Sequence, residues 1–168
     1  MNSPSSPLPE IPAVGFLAEV SPEHRAFLTG FGKFHRRTKG EVFIHEGSPQ
    51  ESLSLVLVGK LHVLTSLTSN PLRLAELGEG DVIGEINLFD PATASATVVA
   101  RDDCLIWSMS RDELKVLIEA DCEAGHSVMW GLLRQLSRRI RQMNEKLVEA
   151  SDLCAKLTSE STPYDDDD

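Results

Sequence analysis

The sequence has few cysteines, little positive charge and no long apolar run. Its three cysteines lie far apart with no Cys-x-x-Cys pair, which disfavours both a disulfide framework and a zinc site. Lys and Arg number 16 against 26 Asp and Glu, giving a formal net charge of -10. Because nonspecific affinity for nucleic acids comes mainly from cations that neutralise phosphates, we expect no direct binding to DNA.

Membrane, export and catalytic signals are also missing from the sequence. No window reaches the roughly 20 apolar residues of a membrane helix, and no basic stretch followed by an apolar one marks a secretory signal. Gly-x-Ser-x-Gly, His-Glu-x-x-His and phosphate-loop motifs do not occur, and the histidines have no metal-ligand spacing. We therefore expect a cytoplasmic protein of one domain that is not an enzyme and uses no metal or cofactor.

Both ends of the chain differ in composition from its centre. Residues 1–13 carry four prolines among serines, which predicts a flexible tail. Residues 158–168 end in four aspartates whose mutual repulsion favours disorder, so this acidic tail is either functional or a cloning remnant. Between the tails we expect a β-rich domain over residues 14–124 and a long helix over residues 125–157.

Short β-type runs bounded by Gly, Pro, Asn or Asp fill the middle of the chain. Turn chemistry separates them, for example at Ser69-Asn70-Pro71. Regular short strands with such punctuation are typical of a sandwich or a rolled barrel. The predicted strands are 42–44, 53–58, 61–64, 72–77, 96–100 and 105–109.

Helix-start chemistry occurs on both sides of these strands. Ser21-Pro22-Glu23 offers an N-cap hydroxyl, a proline at the first helical position and an acid in the first turn. Ser110 and Glu113 form a predicted capping box. A longer helix is expected to begin near His126.

The apolar residues of this long helix alternate four and three apart, which is the pattern of a coiled-coil seam. The small seam residues permit close approach of two helices, so we expect a homodimer through this helix. The alternative is that the apolar face packs on its own domain. The predicted seam comprises Leu136, Ile140, Met143, Leu147, Ala150, Cys154 and Leu157.

Residues 84–100 contain the pattern that carries the chemistry. They indicate the end of a strand, a one-turn helix and the start of another strand. Gly84 allows backbone to approach a ligand closely, and a helix that opens at Glu85 would aim N–H groups at an anion. Ser95 and Thr97 add hydroxyls. The alternative is a surface helical turn between two strands.

This segment resembles the phosphate-binding cassette of cyclic-nucleotide-binding domains. The resemblance lies in the Gly-Glu start, Leu88 and the Ala-Thr-Val-x-Ala end, and residues 43–47 and 77–85 are similar to the segments that precede the cassette. It covers roughly residues 20–150. It implies an α+β fold: an antiparallel, jelly-roll-like β-roll with a short N-terminal helix, a cassette helix and a long C-terminal dimerisation helix.

The resemblance also implies roles for individual residues. Glu85 takes the place of the acid that accepts a hydrogen bond from the ribose 2′-hydroxyl, and Ser95 matches a hydroxyl used on the phosphate by the catabolite-activator branch. Asn144 matches a residue that contacts the base. The complete predicted ligand site comprises Val63, Leu74, Ile83, Gly84, Glu85, Ile86, Ser95, Ala96, Thr97, Arg139 and Asn144.

One departure from the family concerns charge. The family's phosphate-binding arginine falls on Ala94, and residues 84–100 contain no Lys or Arg. Losing such a charge-assisted bond removes roughly 1.5–3 kcal/mol, or about ten- to a hundredfold in affinity. This leaves three outcomes open: weaker binding, a different ligand, or no ligand. Arg73 and Arg139 are the candidates for a compensating cation.

These features predict a stand-alone, dimeric regulatory module with a degenerate phosphate site. Its ligand would be a cyclic mononucleotide or a cyclic dinucleotide, and its output would pass through the C-terminal helix or a protein partner. It would correspond to a catabolite-activator-like sensor without the DNA-binding domain. The alternative is a ligand-free interaction or scaffold protein that keeps the fold.

Overall fold

The computed structural model describes residues 9–65 and 72–160. The predicted turn at Ser69-Asn70-Pro71 lies outside these ranges, as do residues 1–8 of the predicted N-terminal tail and residues 161–168 of the acidic tail. The chain forms two units that meet in sequence between Leu132 and Leu133.

The first unit combines antiparallel strands with short helices. A 3₁₀ turn, Gly15–Leu17, precedes all of them. The helices are α1 (Pro22–Leu28), α2 (Glu85–Phe89), α3 (Arg111–Ala120) and α4 (Cys122–Glu160), the last of which continues into the second unit. The strands are β1 (Lys33–Arg37), β2 (Val42–Ile44), β3 (Pro49–Gln50), β4 (Ser52–Val58), β5 (Leu61–Thr65), β6 (Leu72–Leu77), β7 (Val82–Ile83), β8 (Ala92–Thr93), β9 (Thr97–Ala100) and β10 (Cys104–Ser110).

The strands pair in two four-stranded sheets and one small ribbon. Their orders are β1-β10-β4-β7, β2-β9-β5-β6 and β3-β8, and every pair is antiparallel. This arrangement confirms the predicted α+β fold with an antiparallel roll. The predicted strands 42–44 and 72–77 match β2 and β6.

Strands β4 and β10 are buried on both faces, which explains their nearly continuous apolar sequences. Leu55 and Trp107 face a first core cluster, whereas Val56 and Ile106 face a second one. The side chains of a strand alternate between its faces, so these two strands separate the two clusters.

Strand β1 was absent from the sequence-based prediction. Its sequence, Lys-Phe-His-Arg-Arg, is mostly charged and resembles a surface loop. Among the strands of the described residues it is an edge strand that pairs with β10, and Phe34 packs against the first core cluster. Charged residues are common on edge strands because they discourage pairing with other chains.

Both predicted helix starts are confirmed. The Ser21 side chain accepts a hydrogen bond from the His24 backbone N–H at 3.2 Å. At α3, Ser110 Oγ accepts from the Glu113 backbone N–H at 3.2 Å, and Glu113 Oε2 accepts from the Ser110 backbone N–H at 2.8 Å. The two bonds of the capping box are therefore both present.

At three places the described residues differ from the expected division of the chain. Ile11, placed in the flexible tail 1–13, is buried in the first core cluster, and Arg25 Nε donates to its carbonyl at 3.2 Å. Helix α4 starts at Cys122 instead of residue 125, because Asp121 Oδ1 accepts from the Ala124 backbone N–H at 3.0 Å. It ends at Glu160, inside the predicted tail 158–168.

The N-terminal 3₁₀ turn fits closely against two other segments of the first unit. A Cβ on Gly131 of α4 would lie 2.0 Å from the Phe16 carbonyl oxygen, and a Cβ on Gly15 would lie 2.0 Å from the Gly80 carbonyl oxygen. Phe16 and Leu17 are both buried. These contacts make residues 15–17 an integral part of the core.

The second unit comprises the rest of α4. From Ser137 onward its residues are exposed wherever the structure describes their side chains. None of the helices in the described part of the chain combines the length and apolar character needed to cross a bilayer.

Candidate functional site

Gly84 sets the start of the cassette helix. It is the N-cap of α2 and has a φ of 78°, in the left-handed region that favours glycine. A Cβ at this position would also lie 2.4 Å from the Ser52 carbonyl oxygen on β4. Both the backbone conformation and the close approach therefore require glycine.

Helix α2 is one turn long and buries two of its residues. Glu85 is 4% exposed, and Leu88, three residues later, packs in the first core cluster. The Ile86 side chain is 60% exposed. A carboxylate at a helix N-terminus is favoured by the aligned peptide dipoles, which suits the buried position of Glu85.

An arginine outside the cassette holds the other end of α2. Arg111, the first residue of α3, donates from Nε to the Leu88 carbonyl at 2.7 Å and from Nη2 to the Phe89 carbonyl at 2.6 Å. These carbonyls lie at the C-terminal end of α2, where a positive charge is favourable. Sequence reasoning missed this contact because no local pattern links residues 22 or 23 positions apart.

The segment after α2 is tied to the loop between β2 and β3. Ala94 donates its backbone N–H to the Ser48 carbonyl at 2.8 Å and accepts from the Gly47 backbone N–H at 2.8 Å. Asn87 Nδ2 donates to the Ala92 carbonyl at 2.9 Å. The two bonds of Ala94 fix it beside residues 47 and 48.

Ala94, the position onto which the resemblance places an arginine, lies in apolar surroundings. It is half-buried and packs against the second core cluster, as do Val63 and Ile83 of the predicted site. The structure thus associates Ala94 and two predicted site residues with one apolar cluster. Phe43 and Leu77 pack against the same cluster.

The three predicted site residues at the end of the cassette have different environments. Ser95 is exposed, Ala96 is buried, and Thr97 is half-buried. Thr97 Oγ1 accepts a hydrogen bond from the Glu46 backbone N–H at 3.1 Å. Of the two hydroxyls, that of Thr97 is therefore already engaged in holding the loop after β2.

Strand β6 contributes exposed side chains and an ion cluster. Leu74, predicted to line the pocket, is 55% exposed, and Arg73 is exposed beside it. Glu76 receives Lys60 Nζ and Arg101 Nη1, each at 3.0 Å. The hydrogen bond from Lys60 is the main cause that holds the pKa of the Glu76 carboxyl below its usual value. These two cations are therefore paired with Glu76.

The remaining predicted site residues lie on the second unit. Arg139 and Asn144 are exposed on α4. So are most residues of the predicted seam, with exposures of 59% for Ile140, 63% for Met143 and 70% for Leu147. Within residues 9–65 and 72–160, no group of three or more His, Cys, Asp or Glu side chains could hold a metal ion.

The fold is an antiparallel β-roll of the α+β class, with a glycine-started helical turn that carries a buried acid. Comparison with known families gives a match to the cyclic nucleotide-binding domain over residues 34–121. This match covers more than half of the chain. The chain therefore belongs to the cyclic nucleotide-binding domain family.

Named relatives are regulators. The chain is 31% identical over 112 residues to the "CRP-like cAMP-activated global transcriptional regulator" of Mycobacterium tuberculosis, covering 66% of this chain and 48% of the relative. It is 31% identical over 117 residues to the "Cyclic AMP receptor protein" of Thermus thermophilus, covering 68% and 52%. The chain thus spans about half the length of these relatives.

Solved structures show the same fold. A cyclic nucleotide-binding domain from Methylobacillus flagellatus superposes with a TM-score of 0.71 at 26% identity, covering 77% of this chain and 74% of that one. The likeness supports a regulatory, cyclic-nucleotide-type roll.

Proposed function

We propose that this chain is a dimeric regulatory module that binds a ribose-containing ligand of the cyclic nucleotide type at residues 84–100. The observation that carries the proposal is the pairing of left-handed Gly84 with buried Glu85 at the start of α2. A carboxylate has two oxygens that together accept several hydrogen bonds, so a ligand hydroxyl that donates to Glu85 would add to the interactions this side chain already makes.

The phosphate end of the proposed site is degenerate. Ala94 stands where the family has arginine, and it packs on apolar neighbours. The named relatives respond to cyclic AMP, which supports a related ligand here, a cyclic mononucleotide or a cyclic dinucleotide. We expect its phosphate to be held by hydroxyl and backbone N–H groups alone, with affinity lowered about ten- to a hundredfold.

The exposed seam of α4 supports homodimerisation. Ile140 and Leu147 occupy the first core position of successive heptads, and Met143 occupies the second. All three are more than half exposed in the single chain. Pairing with a second α4 would bury them.

The residues that flank the seam favour a parallel dimer. On one flank lie Arg139 and Lys146, and on the other lie neutral Asn144 and Ser151. In a parallel pair each flank faces the opposite flank of the partner, so cations meet neutral residues. In an antiparallel pair like flanks meet, which would bring Arg139 and Lys146 against cations.

Core packing within the first unit connects α2 with the N-terminal part of α4. Leu88 of the cassette helix shares the first core cluster with Val128 and Leu132 of α4. Packed cores transmit displacement because they have little free space. We propose that a ligand at Glu85 shifts α2 against this cluster and so changes what α4 presents to its partner helix or to a protein partner.

Calorimetric titration of the full chain with cyclic AMP, cyclic GMP and cyclic di-GMP tests the ligand site. At least one should bind, and Glu85→Ala should abolish that binding, because the substitution removes the proposed ribose acceptor. Glu79→Ala, which removes an exposed carboxylate nearby in sequence, is the matched control and should bind like wild type.

The opposite result would favour a ligand-free scaffold. In that case no nucleotide shifts the melting temperature, and the Glu85→Ala and Glu79→Ala variants behave alike in every titration.

A further inference from the structure

The charged residues of α4 change sign along the helix and line up on one of its faces. Residues 134–141 contain four arginines and no acid, whereas residues 147–155 contain two acids and no cation. Four exposed residues, which we call the charged stripe, follow one another at spacings of three and four: Arg138, Arg141, Glu145 and Glu149. They therefore lie within about 80° of the helix circumference.

The charged stripe lies on the side of α4 opposite the predicted seam. Successive residues of a helix are about 100° apart, which places the centre of the stripe roughly 180° from Ile140 and Met143. Among the described residues, none forms an ion pair with a side chain of the stripe. Pairing of two chains through the seam would leave the stripe exposed to solvent.

The order of charges in the stripe does not stabilise the helix itself. Arg141 precedes Glu145 by four residues, and a cation that precedes an acid at this spacing stabilises a helix less than the reverse order does. Glu145 and Glu149 are also four residues apart and repel each other. The order is thus unfavourable for an isolated helix, and it indicates a complementary surface outside it.

We infer that the charged stripe is a self-association surface, which binds the stripe of a second copy in antiparallel orientation. The four residues are placed nearly symmetrically about a point between Met143 and Asn144. A twofold axis through this point brings Arg138 of each copy opposite Glu149 of the other, and Arg141 opposite Glu145. One surface then complements itself, as an isologous interface requires.

Other occupants fit the stripe less well. In a parallel pair of stripes, arginines would meet arginines and acids would meet acids. A nucleic acid would meet Glu145 and Glu149 on the same face as the arginines, in a chain whose formal net charge is -10. A second copy in antiparallel orientation matches both halves of the stripe.

This surface goes beyond the proposed function, because it joins two seam dimers into a tetramer. Seam and stripe lie on opposite sides of α4, so both can be occupied in the same assembly. Exposed ion pairs are individually weak and are screened by salt. We therefore expect the tetramer at low salt and high protein concentration.

Sedimentation equilibrium of the full chain tests the stripe at about 20 mM and about 500 mM NaCl, where the Debye length is roughly 20 Å and roughly 4 Å. At low salt we expect a species of twice the mass of the seam dimer, and at high salt its dissociation constant should rise at least tenfold. Arg138→Glu should also raise this constant at least tenfold at low salt, because position 138 would then repel Glu149 of the other copy.

Two double variants of equal net charge serve as a matched pair. Combining Arg138→Glu with Glu149→Arg exchanges the charges of one proposed contact and should restore wild-type association. Combining Arg138→Glu with Glu145→Arg places like charges at both contacts and should not restore it. Circular dichroism checks that all variants keep the helix content of wild type.

The outcomes separate this inference from the seam dimer of the proposed function. The inference is wrong if wild type forms no species larger than that dimer at low salt, or if the two double variants associate equally. Leu147→Glu disrupts the seam and leaves the stripe intact, so salt-sensitive association should persist in it as a stripe-linked dimer. If Leu147→Glu leaves the association of wild type unchanged while the two double variants differ, the seam dimer is refuted and the stripe stands.

Discussion

The pKa of His35 depends on the residues that surround it in the fold. Burial, with the charges of Arg37 and Lys33, lowers its pKa below the ordinary value of 6.5. Its ring lies edge-on to Phe43 at a centroid distance of 5.6 Å, and Arg37 lies over the same Phe43 ring. The folded chain therefore favours the neutral imidazole.

The sign of the resulting pH dependence follows from proton binding. Between the lowered folded pKa and 6.5, the unfolded chain binds more protons at His35 than the folded chain, so stability falls as pH falls through this window. We expect His35→Gln to lose less unfolding free energy than wild type between pH 7.5 and 5.5, measured by urea denaturation. His45→Gln, at an exposed position, is the control. Parallel pH profiles for wild type and His35→Gln would contradict the assignment.

At the scale of elements, α3 secures the cassette helix through Arg111. We expect Arg111→Ala to lower the free energy of unfolding by about 1–2 kcal/mol, because two hydrogen bonds from a partly exposed cation are lost. Arg111→Lys keeps a cationic donor and should therefore lower the free energy of unfolding less than Arg111→Ala does. Urea denaturation measures the difference.

Lys115→Ala provides the matched comparison on the same helix. Lys115 makes an exposed ion pair with Asp112 at 2.9 Å, and solvent screening leaves such pairs with little effect on stability. If Arg111→Ala and Lys115→Ala lower the free energy of unfolding by equal amounts, the hydrogen bonds from Arg111 to the Leu88 and Phe89 carbonyls add nothing to stability.

Elements with local chemical signals were predictable from the sequence, and those defined by distant partners were not. The capping box of α3 and the strand β6 follow from neighbouring residues. Strand β1 exists because β10 offers it a pairing edge, and its charged sequence gave no such sign. The ribbon β3-β8 likewise joins residues more than 40 positions apart.

The candidate site likewise has some features that the sequence alone predicts and others that only the fold reveals. The glycine at position 84, the acid at position 85 and the missing cassette cation were readable from one segment. The burial of Glu85, the apolar neighbours of Ala94 and the role of Arg111 depend on segments that meet only in the fold.

At the scale of the whole molecule, the α4 seam predicts the oligomeric state. Leu147→Glu should shift the chain toward monomer, with the dimer dissociation constant raised at least a hundredfold, because a charge would be buried in the seam. Val148→Glu introduces the same charge one residue away, where Val148 is 60% exposed but off the seam. Sedimentation equilibrium measures the dimer dissociation constants of the two variants. Equal effects of the two variants would exclude the predicted seam.

Cys154 can be used to test the orientation of the proposed dimer. It is exposed and lies in the seam, so a parallel pair would place the two Cys154 thiols opposite each other. Mild oxidation should then yield a cross-linked dimer on a non-reducing gel, and Cys154→Ser should abolish it. Loss of the cross-link in Cys122→Ser instead would contradict the parallel arrangement.

The packing of the residues before α1 bears on what can fold by itself. The family match begins at residue 34, yet the first core cluster also contains Ile11, Phe16, Leu17, Val20 and Leu28. Fully buried side chains of this kind contribute about 1.5–3 kcal/mol each, so the five together approach the roughly 5–15 kcal/mol of net stability that a domain possesses. The autonomous folding unit is therefore longer than the recognisable domain, and a chain trimmed to the family match would lose much of its core along with its first thirty-three residues.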